Sequence, residues 1–404
     1  MARSAKRTDR QIRVRMYRVG FGDCFLMSLP KKEGRAHVLI DCGVHSAGDT
    51  KTIEAAVKDI GKETGGRIDI VIATHAHQDH ISGFAKCAAA FSAMEVGEVW
   101  LPWTENGQDA QAARIRKKQL ALIAALNLHF AARPPCEEAM FALQNLTGNA
   151  AALNLLKAGI SGGKVRYLEA GQEIERPAGI PGLTVKVLGP PRDEAFLARM
   201  DPPAGDRYLR AGAGSRGAAN AVEPFVHRDV KRGLLPRQLR LPAKLEKELR
   251  DEIERLDSLA FSIDQAVNNS SLVTLFSLGG QHLLFPGDAQ YGSWQSWLDG
   301  PEGREILSQL TFMKMAHHAS HNATPRRALE GMTDGQVSAM VSTQTKPWKS
   351  IPRGPLIEAL DKKTRKRWVR SDSLALRNAP NAPARRLAKG FSKGELWFDY
   401  TVAV

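Results

Sequence analysis

The chain has 404 residues, 43% apolar and 25% charged, the ordinary globular range, which excludes disorder throughout. No apolar run approaches the roughly 18 residues of a membrane-spanning helix, and the basic N-terminus MARSAKRTDRQIRVRM lacks the apolar centre of a secretory signal. The formal net charge is +14, and the four cysteines (Cys24, Cys42, Cys87, Cys136) have no CxxC spacing, so a reducing cytosol is the expectation.

In chain order, QIRVRMYRV alternates as a strand does, and FGDCFLMSLP reads as a second strand after a glycine turn. AHVLIDCG is a short buried strand ending at Asp41 and a glycine. TKTIEAAVKDIGKE has helical spacing, with Ile53, Val57 and Ile60 on one side. RIDIVIATHAHQDH begins as a near-continuous apolar strand, the pattern of burial on both faces, and EVGEVWLP is another short strand. From about 104 the texture turns helical, through DAQAARIRKKQLALIAALNLHF and AMFALQNLTGNAAALNLLKAG. KVRYLEAGQEIE and LTVKVLGPP return to strands. Residues 202–220 form a Gly-, Pro- and Ala-rich loop, and PAKLEKELRDEIERLDSLAF a charged helix with opposite charges four apart, such as Glu246 and Arg250. NNSSLVTLFSLGGQHLLFPGDA is a hairpin, and LTFMKMAHHASHN a short strand running into two histidines. VSAMVSTQ is a strand, PLIEALDKKT a helix and GELWFDYTV a closing strand.

One segment carries chemistry by itself. THAHQDH sets His75, His77, Asp79 and His80 directly after the strand that ends near Thr74. His75 and His77 can converge on one point as the chain leaves the sheet, and Asp79 and His80 can face a second where the next helix begins. Imidazole and carboxylate suit Zn²⁺, and also Mn²⁺ or Fe²⁺. PGDA ends an apolar strand with Asp288, a carboxylate able to bridge two cations about 3.5–4 Å apart. MAHHASHN ends another strand with His317 and His318. Chemistry in α/β sheets gathers at the carboxyl ends of strands, so these three ends belong together.

These motifs resemble the metallo-β-lactamase superfamily, whose HxHxDH signature stands here as His75-Ala76-His77-Gln78-Asp79-His80. The resemblance implies an α/β protein, an αβ/βα four-layer sandwich with two divalent metal ions, Zn or Mn, at one edge. It implies Asp288 as the bridging acid and His318 as a ligand of the second ion. Asp41 of LIDCG would support the ligands from behind, as would Asn269 and Ser270. More narrowly, VGFGDCFLMSL with VLIDCG, the NNSSLVTLFSLGGQHLLFPGDA hairpin, KMAHHASHNA and the closing VSAMVSTQTKPWKSIPRGPLIEAL with VRSD are similar to the soluble domain of ComEC-type competence proteins. That match covers 1–103 and 261–404 as two halves of the fold and leaves 104–260 as a helical insertion with a flexible basic loop. Many superfamily members give the first ion a third histidine from mid-chain; the matching stretch here is Asn268-Asn269-Ser270-Ser271. Of the available substitutes, His129 lies in an apolar helical stretch and reads as core, and His227 lies in the insertion and reads as surface.

The resemblance implies hydrolysis by a hydroxide made available near neutral pH by the two ions. Asp79 and Asp288 would orient it, His317 would contact phosphoryl oxygens or assist the leaving group, and Lys314 and Lys346 would contact phosphate. Charge bears on the substrate. Residues 1–18 carry a net +6, 207–250 a net +7 and 346–393 a net +11, leaving the remainder at −10. Such patterning favours a polyanion, so the expected protein is a soluble cytoplasmic nuclease or phosphodiesterase, with DNA ahead of RNA as partner and no membrane. The alternative is a hydrolase of a small carbonyl ester, thioester, lactone or β-lactam, since fold alone does not fix the substrate. A non-catalytic binding module is a third reading, disfavoured by the nearly whole ligand set.

Overall fold

The computed structural model describes residues 10–46, 52–132, 137–208, 263–344, 351–372 and 387–404. His227, Lys346, Cys136, the Gly-rich loop beyond 208 and the charged helix at 242–261 lie outside them, as does the side chain of His129.

Fifteen strands among the described residues form two sheets. The first contains β1 (Gln11–Tyr17), β2 (Cys24–Pro30), β3 (Arg35–Cys42), β4 (Arg67–Ile72), β5 (Glu95–Pro102), β6 (Lys164–Leu168), β14 (Phe391–Lys393) and β15 (Trp397–Ala403), in the order β14-β15-β1-β2-β3-β4-β5-β6. The second contains β7 (Glu173–Glu175), β8 (Thr184–Gly189), β9 (Val273–Leu278), β10 (Gln281–Phe285), β11 (Phe312–Lys314), β12 (Ser338–Val341) and β13 (Trp368–Arg370), in the order β13-β12-β11-β10-β9-β8-β7. Neighbours joined by tight turns, such as β9 and β10, pair antiparallel; β3 through β6 and β10 through β13 pair parallel and are linked by helical crossovers.

The apolar patterns explain the layering. Ile12, Val14, Met16, Phe25, Phe276, Phe285, Phe312 and Tyr400 fill the space between the sheets. The rings of Phe312 and Tyr400 stack across it at 5.2 Å. On the outer face of the first sheet lie α1 (Ile53–Thr64), α2 (Gln78–Lys86) and α3 (Ala88–Ser92), which bury Val57, Ile60, Ile81, Phe84 and Phe91. This is why β4 is buried on both faces and reads as a continuous apolar run.

The stretch expected as a helical insertion contributes to every layer. Its helices α4 (Ala110–Ala132), α5 (Glu137–Leu146) and α6 (Ala150–Lys157) follow β5, and α6 packs Ala152 and Leu156 onto the first sheet's helical layer. Then β6 closes the edge of the first sheet, and β7 and β8 extend the second. The short α7 (Glu194–Leu197) follows. The outer layer of the second sheet is α8 (Tyr291–Leu298), α9 (Gly303–Gln309), α10 (Arg326–Gly331) and α11 (Gly354–Lys363), buried through Trp294, Trp297, Leu307, Leu329, Leu356 and Leu360. Two sheets with helices outside both are the four layers that the resemblance implies. No helix among the described residues is long and apolar enough to cross a membrane.

Candidate metal centre

The ligand edge is set by two close backbone approaches and a strained acid. A Cβ on Gly43 would lie 2.4 Å from the His80 nitrogen, so only glycine lets the end of β3 meet the start of α2. Gly287 has φ +55°, and a Cβ there would lie 2.8 Å from that of Thr74. Asp41 has φ 55° and accepts hydrogen bonds from the Thr74 N–H, the Thr74 hydroxyl and His80 Nδ1, each at 2.7 Å.

Two adjoining pockets result. In the first, His75 Nε2 faces His77 Nδ1 at 3.0 Å. In the second, His80 Nε2 lies 3.1 Å from Asp288 Oδ2, and His318 Nε2 lies 3.1 Å from Asp79 Oδ2 and 3.4 Å from Asp288 Oδ2. One ligand atom from each of Asp79, His80, Asp288 and His318 falls within 4.8 Å of the others. A tetrahedral cation with ligand bonds of about 2.0–2.2 Å spaces its ligands roughly 3.4 Å apart, so the second set fits a Zn²⁺-sized ion, while the first pocket supplies two facing nitrogens. Asp79 Oδ1 is buried without a hydrogen-bond partner among the described residues, as expected of a ligand face.

Groups behind the rings fix which nitrogen points inward. Asp41 takes the His80 Nδ1 proton, and the Ser342 carbonyl takes that of His318 Nδ1 at 2.9 Å. The Thr74 hydroxyl donates to Asp41, so its oxygen accepts from His75 Nδ1 at 3.1 Å. All three rings therefore present Nε2 to the pockets when neutral. Ser271 Oγ lies 3.2 Å from the same His75 nitrogen and accepts the Asp288 N–H at 3.1 Å.

His317, His318 and Ala319 have φ of 43°, 52° and 63°, a left-handed turn costing about 1–2 kcal/mol per residue. It sends the paired histidines apart, with ring centres 6.2 Å from each other. His318 enters the second pocket. His317 lies with Nδ1 2.9 Å from Ser320 Oγ and Nε2 3.4 Å from Asn268 Nδ2. Ser320 donates onward to Asn322, so His317 gives its Nδ1 proton to Ser320 and presents Nε2 as an acceptor.

Burial dominates the titration of the first pocket and of His317. It pushes His75 well below the ordinary histidine value, and His77 and His317 to about 4. In the second pocket burial would lower the histidines too, but the carboxylates of Asp288 and Asp79 raise both His80 and His318. Burial would raise Asp79 and Asp288, yet His80 in both cases, with Lys314 beside Asp288, holds them below the carboxylate range.

The supporting residues are partly other than expected. Ser270 bonds the Val267 carbonyl at 2.6 Å, and its neighbour Ser271 is the one that touches His75. Asn269 donates to the carbonyls of Phe196, Leu197 and Arg199 and accepts from the N–H of Gln290 and Ser293, so it ties α7 to the loop after Asp288. Lys314, expected at a phosphate, is 2% exposed. Its ammonium pairs with Asp23, with Asp288 Oδ1 at 3.1 Å and with the Gly287 carbonyl at 2.8 Å, so burial and these partners commit it to the carboxylates. α2 begins at Gln78, so Asp79 lies in its first turn, at the positive end of the helix. Asp23, Asp264, Ser271 and Ser342 touch the site from outside the expected set. Asp23 alone had a local signal, its place after Gly-Phe-Gly at the head of β2. From the insertion, Asn145 Oδ1 accepts the Asp79 N–H at 3.3 Å and Asn149 donates to the Ala76 carbonyl at 2.7 Å, so α5 and the start of α6 hold the ligand loop.

The metallo-beta-lactamase superfamily model matches residues 17–99, which include this ligand loop. No curated protein matches the chain. Among solved structures it matches one described as a beta-lactamase domain protein from Burkholderia ambifaria, at 20% identity and a TM-score of 0.24. That overlap covers 42% of this chain and 41% of the other, so the chain spans less than half the length of that protein. The two sheets with helices outside both are consistent with the metallo-beta-lactamase fold, the matched superfamily is mostly hydrolases, and Asp79, His80, Asp288 and His318 are candidate ligands for a metal ion.

Proposed function

We propose that the protein is a two-metal phosphoesterase, a nuclease or phosphodiesterase of the kind suggested by the narrower likeness to ComEC-type sequences. The observation that carries the phosphoester reading is the charge pattern, with net +7 in 207–250 and net +11 in 346–393. His75 and His77 would hold one ion, and Asp79, His80 and His318 the other, with Asp288 shared between them. When bound, the ions supply Lewis acidity and a nucleophilic oxygen at neutral pH. Asp41, Thr74 and Ser342 keep the ring lone pairs aimed, and Lys314 offsets the charge of Asp288 and Asp23. His317, held near 4 by burial, rests as an acceptor, and an anionic phosphoryl group beside it would raise it toward giving a proton to a leaving oxygen.

The small carbonyl ester remains as a second reading because much of the described basic charge has internal partners. Arg13 pairs with Glu63, Arg15 with Asp59 and Asp399, and Arg18 bonds the Ser371 and Glu395 carbonyls. Lys363 pairs with Asp334, and Arg367 bonds the Gly335 carbonyl. Lys362 through Arg367 also precede β13, and therefore lie at the opposite ends of the parallel strands from His317 and His318.

Metal analysis and a salt-titrated cleavage screen on DNA, RNA and small esters separate the readings. Two bound ions, turnover of a phosphodiester, and affinity falling with log salt at about −0.9 per neutralised duplex phosphate are expected. Brisk turnover of a neutral ester with no nucleic-acid binding at about 50 mM salt would move the assignment to the second reading.

A further inference from the structure

We propose that Asp264 is the positioning residue for His77, doing for the first pocket what Asp41 does for His80. The proposal rests on the two-metal reading and deepens it. Three of the four pocket histidines have an acceptor for the ring nitrogen that faces away: Thr74 for His75, Asp41 for His80 and the Ser342 carbonyl for His318. His77 is turned the other way. Its Nδ1 faces His75 Nε2 at 3.0 Å, so the outward nitrogen is Nε2. That atom is buried and has no hydrogen-bond partner among the described residues. Asp264 Oδ1 lies 3.4 Å from it, somewhat beyond a charge-assisted hydrogen bond of about 2.7–2.9 Å.

For Nδ1 to offer a lone pair to a cation, Nε2 must carry the proton, and a carboxylate beside Nε2 selects that tautomer and makes the ring a better donor. The demand is greater here because Asn268-Asn269-Ser270-Ser271 stands where a third imidazole would come from. Asp264 faces the side of the ring away from the pocket, which makes it a support and not a ligand. It is itself held by the insertion: Asn145 Nδ2 approaches its Oδ1 at 3.5 Å while Asn145 Oδ1 accepts the Asp79 N–H at 3.3 Å. One asparagine on α5 thus ties the support of the first pocket to a ligand of the second.

The test compares wild type, Asp264→Ala and Asp264→Asn in the full chain. In the metal-free protein His75 Nε2 competes as an acceptor for His77 Nδ1, so nitrogen-15 histidine spectra should show a larger Nε2–H fraction on His77 in wild type than in Asp264→Ala, with His80 unchanged. A chelator competition should show one of two Zn²⁺ ions weakened by about 10–100-fold in Asp264→Ala, the other unaffected, with Asp264→Asn in between because its carbonyl still accepts. An unchanged His77 tautomer with both affinities intact in Asp264→Ala overturns the proposal. Should that variant not fold, Asp264→Asn carries the test, and undiminished Zn²⁺ binding by it overturns the proposal as well. A wild type that binds fewer than two ions instead defeats the two-metal reading itself.

Discussion

Lys314→Met separates a structural lysine from a substrate-binding one. The ammonium is buried between Asp23 and Asp288, and methionine fills nearly the same volume without the charge. Removing one partner of a buried ion pair costs about 3–5 kcal/mol. The lower end applies here. His80 lies 3.7 Å from Asp23 and 3.1 Å from Asp288, and the surrounding carboxylates favour its positive form. With an unfolding entropy of about 2.1 cal/mol/K per residue over 404 residues, roughly 3 kcal/mol lowers the melting temperature by about 3–4 °C. Calorimetry in chelator measures this in the metal-free protein. Adding Asp23→Asn should recover part of the loss, because the double variant no longer strands that carboxylate. If Lys314→Met melts within about 1 °C of wild type and instead raises KM for a phosphodiester, the ion-pair reasoning is wrong and the lysine serves the substrate.

Two further outcomes follow from the site. His80 and His318 are raised by the surrounding carboxylates, so the metal-free folded protein holds protons there that the unfolded chain releases above about 6.5. Metal-free stability should therefore fall as pH rises from 6.5 through the raised values, while Zn²⁺ binding near pH 7 should release protons and weaken as pH drops. Calorimetric titration in buffers of different ionisation enthalpy reads the release, and zero release would count against these assignments. Asn269→Ala removes an amide that serves three carbonyls and two N–H groups, and should destabilise the fold by about 3 kcal/mol or more in a denaturant titration.

What the sequence discloses is local. The β4 run and the HxHxDH segment are legible because burial on both faces and ligand chemistry are both written in consecutive residues. Asp288 and His318 are legible because each ends an apolar strand. Lys314 is misleading for the same reason: it ends β11 as a phosphate contact would, and the acids that bury it come from the heads of β2 and the loop after β10. Ser270 and Ser271 differ by one position, and only the turn that directs one to Val267 and the other to His75 separates them. Asp264 lies in an unremarkable stretch before the hairpin; its relation to His77 depends on the folding of segments far apart in sequence. The basic blocks are legible as charge, but the partners of Arg13, Arg15 and Lys363 are not.

The ligand edge concentrates costs that apolar packing elsewhere does not require. Four left-handed residues, Asp41, His317, His318 and Ala319, lie along it. Four buried acids, Asp23, Asp41, Asp79 and Asp288, face one buried lysine, so three negative charges remain when the histidines are neutral. In water-poor surroundings that excess draws protons onto His80 and His318, which accounts for their raised values without any special feature of either ring. Two divalent ions would replace those protons and offset the excess negative charge of the centre.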